Sequence, residues 1–374
     1  MNVIVSSFLR FRWILVVCLA AGIGQAQSGR RPPGRVEPPV IRIETLEVVV
    51  PLLAYDANGA FVDDLKPGEV VVLEENEARP TSGLKREPAN ILLLLDGSNE
   101  FGTFKNGPTQ RYGGEERPVW EKRTEGLLVA NPTAREFAFS LLRQISPHDR
   151  VAIIQYSDRV QVLQDWTGDR EEAIRALQSK YRIGIRSTFF DALALAAAKL
   201  AETREGRRTI VLLSDGIDSA SRIGRARAWR ALEEAGVTVF VVGWAEALRR
   251  EVELAVGWMR SQERFTTASA ARLGELRTFL ARLDGAAVEL EQLADSSGGQ
   301  FWLPPSHSEV VAAAPRLAGE IGAQYSLAFI TERRPTLEDR RRLEVIPARP
   351  GLSLRSRRSH IVLPVAEGRS EAKP

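Results

Sequence analysis

Ile91-Leu92-Leu93-Leu94-Leu95-Asp96-Gly97-Ser98-Asn99-Glu100 decides the fold. Five apolar residues without alternation, stopping at a carboxylate, are the pattern of a strand buried on both faces of a parallel sheet. Similar runs follow at residues 151–156, 209–213 and 237–242. Between them the apolar spacing turns helical at 133–144, 170–180, 189–202 and 223–235. The first of these opens on a Thr133-x-x-Glu136 capping box, and the last closes at Gly236. Strands alternating with helices of this length need crossover connections, so the chain is predicted to be α/β with a doubly wound, mostly parallel sheet. Residues 160–166 follow the second strand too closely for a crossover and are expected to return antiparallel at the sheet edge.

Outward from this core, residues 89–305 read as one α/β domain with two insertions. The first, 102–131, is polar, Gly-rich and too long for an ordinary strand-to-helix loop. The second, 246–283, has helical spacing, with Trp258 and Met259 among charges; a helix resumes at 290–296 before a short strand at 300–303. Residues 41–88 form a small N-terminal β unit with strands at 48–53 and 69–73. Residues 306–364 add a helix near 309–321 and strands at 325–330, 342–346 and 360–364. A lone two- or three-stranded unit buries too little surface to be stable. The two groups are therefore expected to pair into one accessory β-sandwich-like domain with the α/β domain inserted between them. Residues 365–374 are polar and read as a disordered tail.

The N-terminus carries Arg10 and Arg12, an apolar run at 13–23, and Gly24-Gln25-Ala26. Residues 1–26 read as a secretory signal peptide, since the run is about half of the roughly 20 residues that span a bilayer. A secreted or periplasmic location follows, with an uncleaved membrane anchor as the minority reading. No later stretch is long and apolar enough to span. Residues 27–40 are a Pro- and Arg-rich linker. The one cysteine, Cys18, leaves with the signal, which excludes disulfides and thiol chemistry from the mature chain. The 374 residues are 44% hydrophobic and 26% charged, the proportions of an ordinary globular protein. Fifty-one Lys and Arg against 48 Asp and Glu give a net charge of +3, which falls to about +1 without Arg10 and Arg12. That balance gives no support to a nucleic-acid partner.

Chemistry collects where the buried strands stop. Asp96, Ser98 and Glu100 stand at alternate positions, Ser214-Asp215-Gly216 ends a second strand, and Arg186-Ser187-Thr188 precedes a helix. Every one of these donors is oxygen, which suits Mg²⁺, or Mn²⁺ or Ca²⁺, and the lack of a neighbouring His or Cys argues against zinc. The pattern resembles the von Willebrand factor type A domain. Its metal-ion-dependent adhesion site combines Asp-x-Ser-x-Ser, a loop Thr and an Asp-Gly, here Asp96, Ser98, Thr188 and Asp215. The flanking β segments look like the exported bacterial group of such proteins. The resemblance implies that Ser98 and Thr188 coordinate directly, that Asp96 does so weakly or through water, and that Asp215 acts through water. One position is left for an acidic side chain of a partner protein. Glu100 replaces the second Ser of the motif; its added negative charge would raise cation affinity and weaken attraction for a partner carboxylate. The implied function is an exported adhesion or assembly module that binds a protein partner through a divalent cation. The alternative is a cation-independent structural scaffold with a degenerate metal site.

Other titratable residues carry less. Asp191 is expected to cap its helix or support the site, and Asp218 to serve a turn. His148, His307 and His360 pair with no Ser or Cys at a recognisable spacing, and Gly-x-Ser-x-Gly is absent, so hydrolytic catalysis is not expected. No Gly-rich phosphate loop follows Asp96. Glu74-Glu75 and Glu115-Glu116 read as solvated turns, and Arg333-Arg334 with Arg340-Arg341-Arg342 as a solvated hairpin. The chain is read as a non-enzyme.

Overall fold

The structure, a computed structural model, describes residues 44–98, 109–112, 115–118, 130–261, 267–333 and 338–363. The expected signal peptide, linker and tail, and Glu100, lie outside the described residues. The chain enters through β1 (Glu44–Tyr55), β2 (Val70–Glu74), β3 (Glu77–Arg79) and β4 (Thr81–Lys85). The α/β part follows with β5 (Ala89–Asp96), a hairpin of β6 (Thr109–Tyr112) and β7 (Glu115–Pro118), α1 (Ala130–Leu142), β8 (Arg150–Tyr156) and β9 (Val160–Thr167). It continues through α2 (Arg170–Lys180), α3 (Phe189–Ala201), β10 (Arg207–Ser214), α4 (Arg225–Glu234) and β11 (Thr238–Gly243). It closes with α5 (Ala245–Arg260), α6 (Thr267–Ser297), β12 (Phe301–Trp302), α7 (His307–Ala312) and α8 (Ala314–Ala323). The last strands are β13 (Tyr325–Arg333), β14 (Asp339–Pro347), β15 (Ser353–Ser356) and β16 (Ser359–Val362).

The central sheet has the order β12-β11-β10-β5-β8-β9, parallel throughout except for β9, which returns antiparallel on β8 as its short connection requires. β5 lies at the middle because both its faces are apolar. Ile91, Leu93 and Leu95 pack into one layer with α1, α2 and α8, and Leu92 and Leu94 into the other with α3, α4 and α6. All five are under 2% exposed, and full burial of each contributes about 2 kcal/mol. The expected doubly wound core is therefore present.

Some helices differ from the sequence reading. α1 begins at Ala130, so Thr133 lies inside the helix and does not cap it. α6 runs unbroken for 31 residues where two separate helical stretches were expected, because Leu276, Phe279, Leu283 and Leu290 keep one face buried along its length. The helix near 309–321 is two helices, α7 and α8, divided at Ala313.

The outer segments meet as predicted. β1 pairs antiparallel with β13, and β2 with β14. They form two four-stranded sheets, β15-β1-β13-β4 and β16-β14-β2-β3. Val50, Leu52, Val70, Val72, Leu327, Phe329 and Leu343 from both sheets share one core. Period-two alternation turns Leu53 of β1 the other way, where it packs with α8 in the α/β core.

At the amino edge of the central sheet, the half-buried Arg207 and Arg208 and the buried Arg357 close the carboxyl ends of helices. Arg207 donates to the Ile321 carbonyl, Arg208 to those of Thr203 and Ala235, and Arg357 to that of Gly236. These are the carbonyls a helix leaves unbonded, and a cation there also meets the negative end of the helix dipole. Burial pushes the Arg207 and Arg357 guanidinium groups down to about 10.

Candidate metal centre

The opposite, carboxyl edge holds the oxygen cluster. The register sets Leu95 of β5 opposite Leu213 of β10 and Asp96 opposite Tyr156 of β8, so Asp96 and Ser214 leave the sheet at one level. Asp96 is 1% exposed and Asp215 7%. One oxygen of Asp96 accepts the Ser98 N–H at 2.8 Å, and the other faces the Ser214 hydroxyl at 3.4 Å. The Asp215 carboxylate accepts the Ile217 N–H at 2.9 Å across a turn made by Gly216 at φ +80°. Such two-residue turns fix the direction of a carboxylate.

Tyrosines support this edge from below. Tyr156 donates to the Ser214 hydroxyl at 2.6 Å, and Ser214 in turn accepts the Gly216 N–H at 2.8 Å. Tyr181 donates to the main-chain oxygen of Asp96 at 2.7 Å. Burial, reinforced by the charge of Asp96, pushes both phenols upward, so they remain neutral donors. Neither was singled out from the sequence. The signal for Tyr156 was its place as the last residue of a buried strand, level with Asp96.

Thr188 comes from a third segment, just before α3. Its N–H and its hydroxyl both donate to the Ser157 carbonyl, at 3.1 and 3.0 Å, and the hydroxyl makes no bond to its own helix. With its proton so committed, the hydroxyl oxygen keeps both lone pairs for a cation. Ser187 beside it is fully buried with no partner for its hydroxyl. Its N–H donates to Ser219 at 3.0 Å, tying the α3 loop to the loop after β10.

The structure thus sets Asp96, Ser98, Thr188 and Asp215 on three neighbouring loops at one sheet edge. Asp191 is not a cap for α3. Its carboxylate accepts the N–H groups of Arg222 and Ile223 at 3.0 Å and so holds the loop after β10. Asp218 performs the capping from outside, accepting the Phe190 N–H at 3.4 Å and the Ser221 hydroxyl at 2.5 Å.

The donor chemistry fits a hard divalent cation. The set is two carboxylates and two hydroxyls, and among the described residues no three His, Cys, Asp or Glu side chains gather as a metal site of another kind. The sequence reading erred elsewhere. Glu74 is fully buried, and Arg341 and His360 are 6% and 3% exposed, so these residues are not solvated, although Glu75, Arg340 and Arg342 are. Parity along the strands was the missed signal. Val70, Val72 and Glu74 share one face of β2, and Arg341 and Leu343 one face of β14.

Residues 129–278 match the family model of the von Willebrand factor type A domain, and the chain carries such a domain. The match includes Thr188 and Asp215. β5, with Asp96 and Ser98, lies before it. No curated protein matches the chain. Among solved structures, a von Willebrand factor type A protein from Catenulispora acidiphila is 11% identical, with 86% of this chain and 73% of that one covered, at a TM-score of 0.41. Proximal thread matrix protein 1 from the mussel byssus, solved with a zinc-occupied MIDAS motif, is 14% identical, covers 63% of this chain and has a TM-score of 0.40. The chain spans about half the length of the mussel protein, 48%. BatB from Bacteroides thetaiotaomicron is 16% identical, covering 63% of this chain and 98% of its own, at a TM-score of 0.37. Among the described residues no helix is long and apolar enough to cross a membrane.

Proposed function

We propose that this chain is an exported protein-binding module that recognises an acidic side chain of a partner through a divalent cation. Asp96, Ser98, Thr188 and Asp215 would hold the ion, with Glu100 as an added carboxylate. The observation that carries the reading is the Thr188 hydroxyl. Its proton is committed to the Ser157 carbonyl while its oxygen remains an acceptor, on a loop tied to the same edge as Asp96 and Asp215. Mg²⁺, Mn²⁺ or Ca²⁺ held there would supply a positive charge with one position for an outside carboxylate.

The chain's own residues do the positioning. The turns at Asp96 and Asp215 aim the carboxylates, and Tyr156 and Tyr181 anchor the loops beneath them. Export is supported by residues 1–26. A non-enzymatic role is supported by His307 at the start of α7, whose ring is engaged with Glu251 of α5 at 2.9 Å, and by the place of His148 and His360 on other segments.

Calorimetric titration of Mg²⁺ and Mn²⁺ into the mature chain tests the reading. Saturable heat that disappears in Asp215→Ala, with unchanged thermal unfolding, is expected. Absence of saturable heat in the unsubstituted chain would leave the scaffold alternative.

A further inference from the structure

We infer that the loop running up to Thr188 is a preformed docking strip for an extended acidic protein segment with apolar side chains two residues apart. The inference rests on the cation reading for the place of the partner's carboxylate and goes beyond it in naming what surrounds that carboxylate.

The strip is residues 182–186. Its backbone is pinned on both sides: the Gly184 N–H donates to the Gly97 carbonyl at 2.9 Å, and the Ile185 and Arg186 N–H groups donate to the two carboxylate oxygens of Asp158 at 3.2 and 2.9 Å. A Cβ at position 184 would lie 2.7 Å from the Ser157 side chain and 2.8 Å from Asp158, so this position faces inward and only glycine fits. Alternation then turns its neighbours out. Ile183 and Ile185 are 58% and 56% exposed, among the most exposed large apolar residues of the described chain. Single exposed isoleucines are ordinary. Two of them, two residues apart on a fixed backbone beside the candidate centre, form a patch.

Charge selects the occupant. Arg182 and Arg186 flank the isoleucines, and Arg222 stands exposed on the loop that Asp191 holds against the start of α3. Arg186 faces Asp158 at 3.7 Å, Arg182 donates to the Tyr181 carbonyl at 2.8 Å, and Arg222 is exposed. A segment that satisfies both features carries carboxylates for the arginines and the cation, and apolar side chains for the isoleucines. In an extended chain every second side chain points the same way, about 7 Å apart, which matches Ile183 and Ile185. A polysaccharide would satisfy the arginines and leave the isoleucines uncovered.

A random peptide library selected on the full-length chain in Mg²⁺, followed by fluorescence anisotropy on the recovered peptides, tests this. The expected peptides carry Asp or Glu with apolar residues at two-residue spacing. Ile183→Ser with Ile185→Ser should weaken them by about ten-fold while the calorimetric heat of Mg²⁺ stays unchanged. Arg182→Ala with Arg222→Ala should weaken them and flatten their salt dependence. Recovery of no peptides, of peptides lacking apolar residues, or unchanged binding to the isoleucine variant overturns the inference, as does stronger competition by a sulfated polysaccharide than by the peptides. Binding that survives EDTA and Asp215→Ala but is lost in the isoleucine variant keeps the docking strip and overturns the cation reading alone.

Discussion

His360 Nε2 lies 2.8 Å from a carboxylate oxygen of Glu74, a residue 286 positions earlier in the chain. Thr331 donates to the same carboxylate at 2.6 Å, and Arg341 and Arg79 approach it at 3.2 and 2.8 Å. Four strands of the accessory sheets therefore converge on one buried charge. Burial alone would raise the Glu74 carboxyl, but the bonds from His360 and Thr331 and the charge of Arg341 hold it at about 2 against an ordinary 4.5.

Because the folded value is depressed, this stabilisation is complete above pH 4.5 and is lost as pH falls toward 2. Its size is up to about 3 kcal/mol. Urea unfolding across that range should show the loss in the unsubstituted chain and not in Glu74→Gln. Glu74→Ala, which leaves Arg341 with Asp339 and Thr331 but without its buried carboxylate, should cost about 3 kcal/mol near neutral pH.

Glu320 of α8 behaves in the opposite sense. Burial raises its carboxyl to about 7, with Arg316 and Arg355 only partly offsetting it. A raised folded value means that the relative stabilisation is present below 4.5 and disappears as pH rises through about 7. Glu320→Gln should therefore stabilise the chain by about 2 kcal/mol above that pH and make little difference in acid, as read by thermal melts at both ends of the range.

Gly216 turns the chain after Asp215 at φ +80°, and a Cβ there would come within 2.9 Å of the Leu290 side chain on α6. Gly216→Ala should destabilise the chain by about 1–3 kcal/mol and weaken cation binding along with it. Calorimetry beside chemical denaturation reads both effects. Undiminished ion affinity would show that the aim of Asp215 does not depend on this turn.

Glu100→Ser restores the Asp-x-Ser-x-Ser pattern and lowers the charge of the segment after β5 by one. Affinity for Mg²⁺ should fall, and affinity for carboxylate-bearing peptides should rise. An unchanged Mg²⁺ dissociation constant would show that Glu100 takes no part in the site.

A chain ending at Gly319 lacks β13 and β14, the antiparallel partners of β1 and β2. Hydrogen exchange should then be fast at Val48 to Leu53, where the full chain is protected. Equal protection in both would show that the N-terminal strands stand alone.

The legible parts of this molecule were those with one dominant signal. Ile91 to Leu95 announced a central strand because nothing but double burial explains five apolar residues ending at Asp96, and the short link from β8 to β9 allowed only an antiparallel return. The oxygen donors were visible because strand ends in such sheets converge on one edge. What stayed hidden depended on partners distant in sequence. Glu74 and Arg341 look like surface charges until β2 and β14 are set side by side. Asp191 and Asp218 exchanged their expected tasks because loops 30 residues apart fold against each other, a relation that no local pattern encodes.

The pairing of β1 with β13 also imposes an order in time. Synthesis delivers β1 early and its partner only after the whole α/β domain has been made, so the first strand must wait with an unmatched edge. Non-local pairing of this kind slows folding, and a bare edge invites the wrong neighbour. The inserted domain, whose sheet contacts are mostly between neighbouring segments, can close first and bring its two ends together. The accessory sandwich then closes over a domain already folded, and its formation reports that the inserted part has brought β13 and β14 back to β1 and β2.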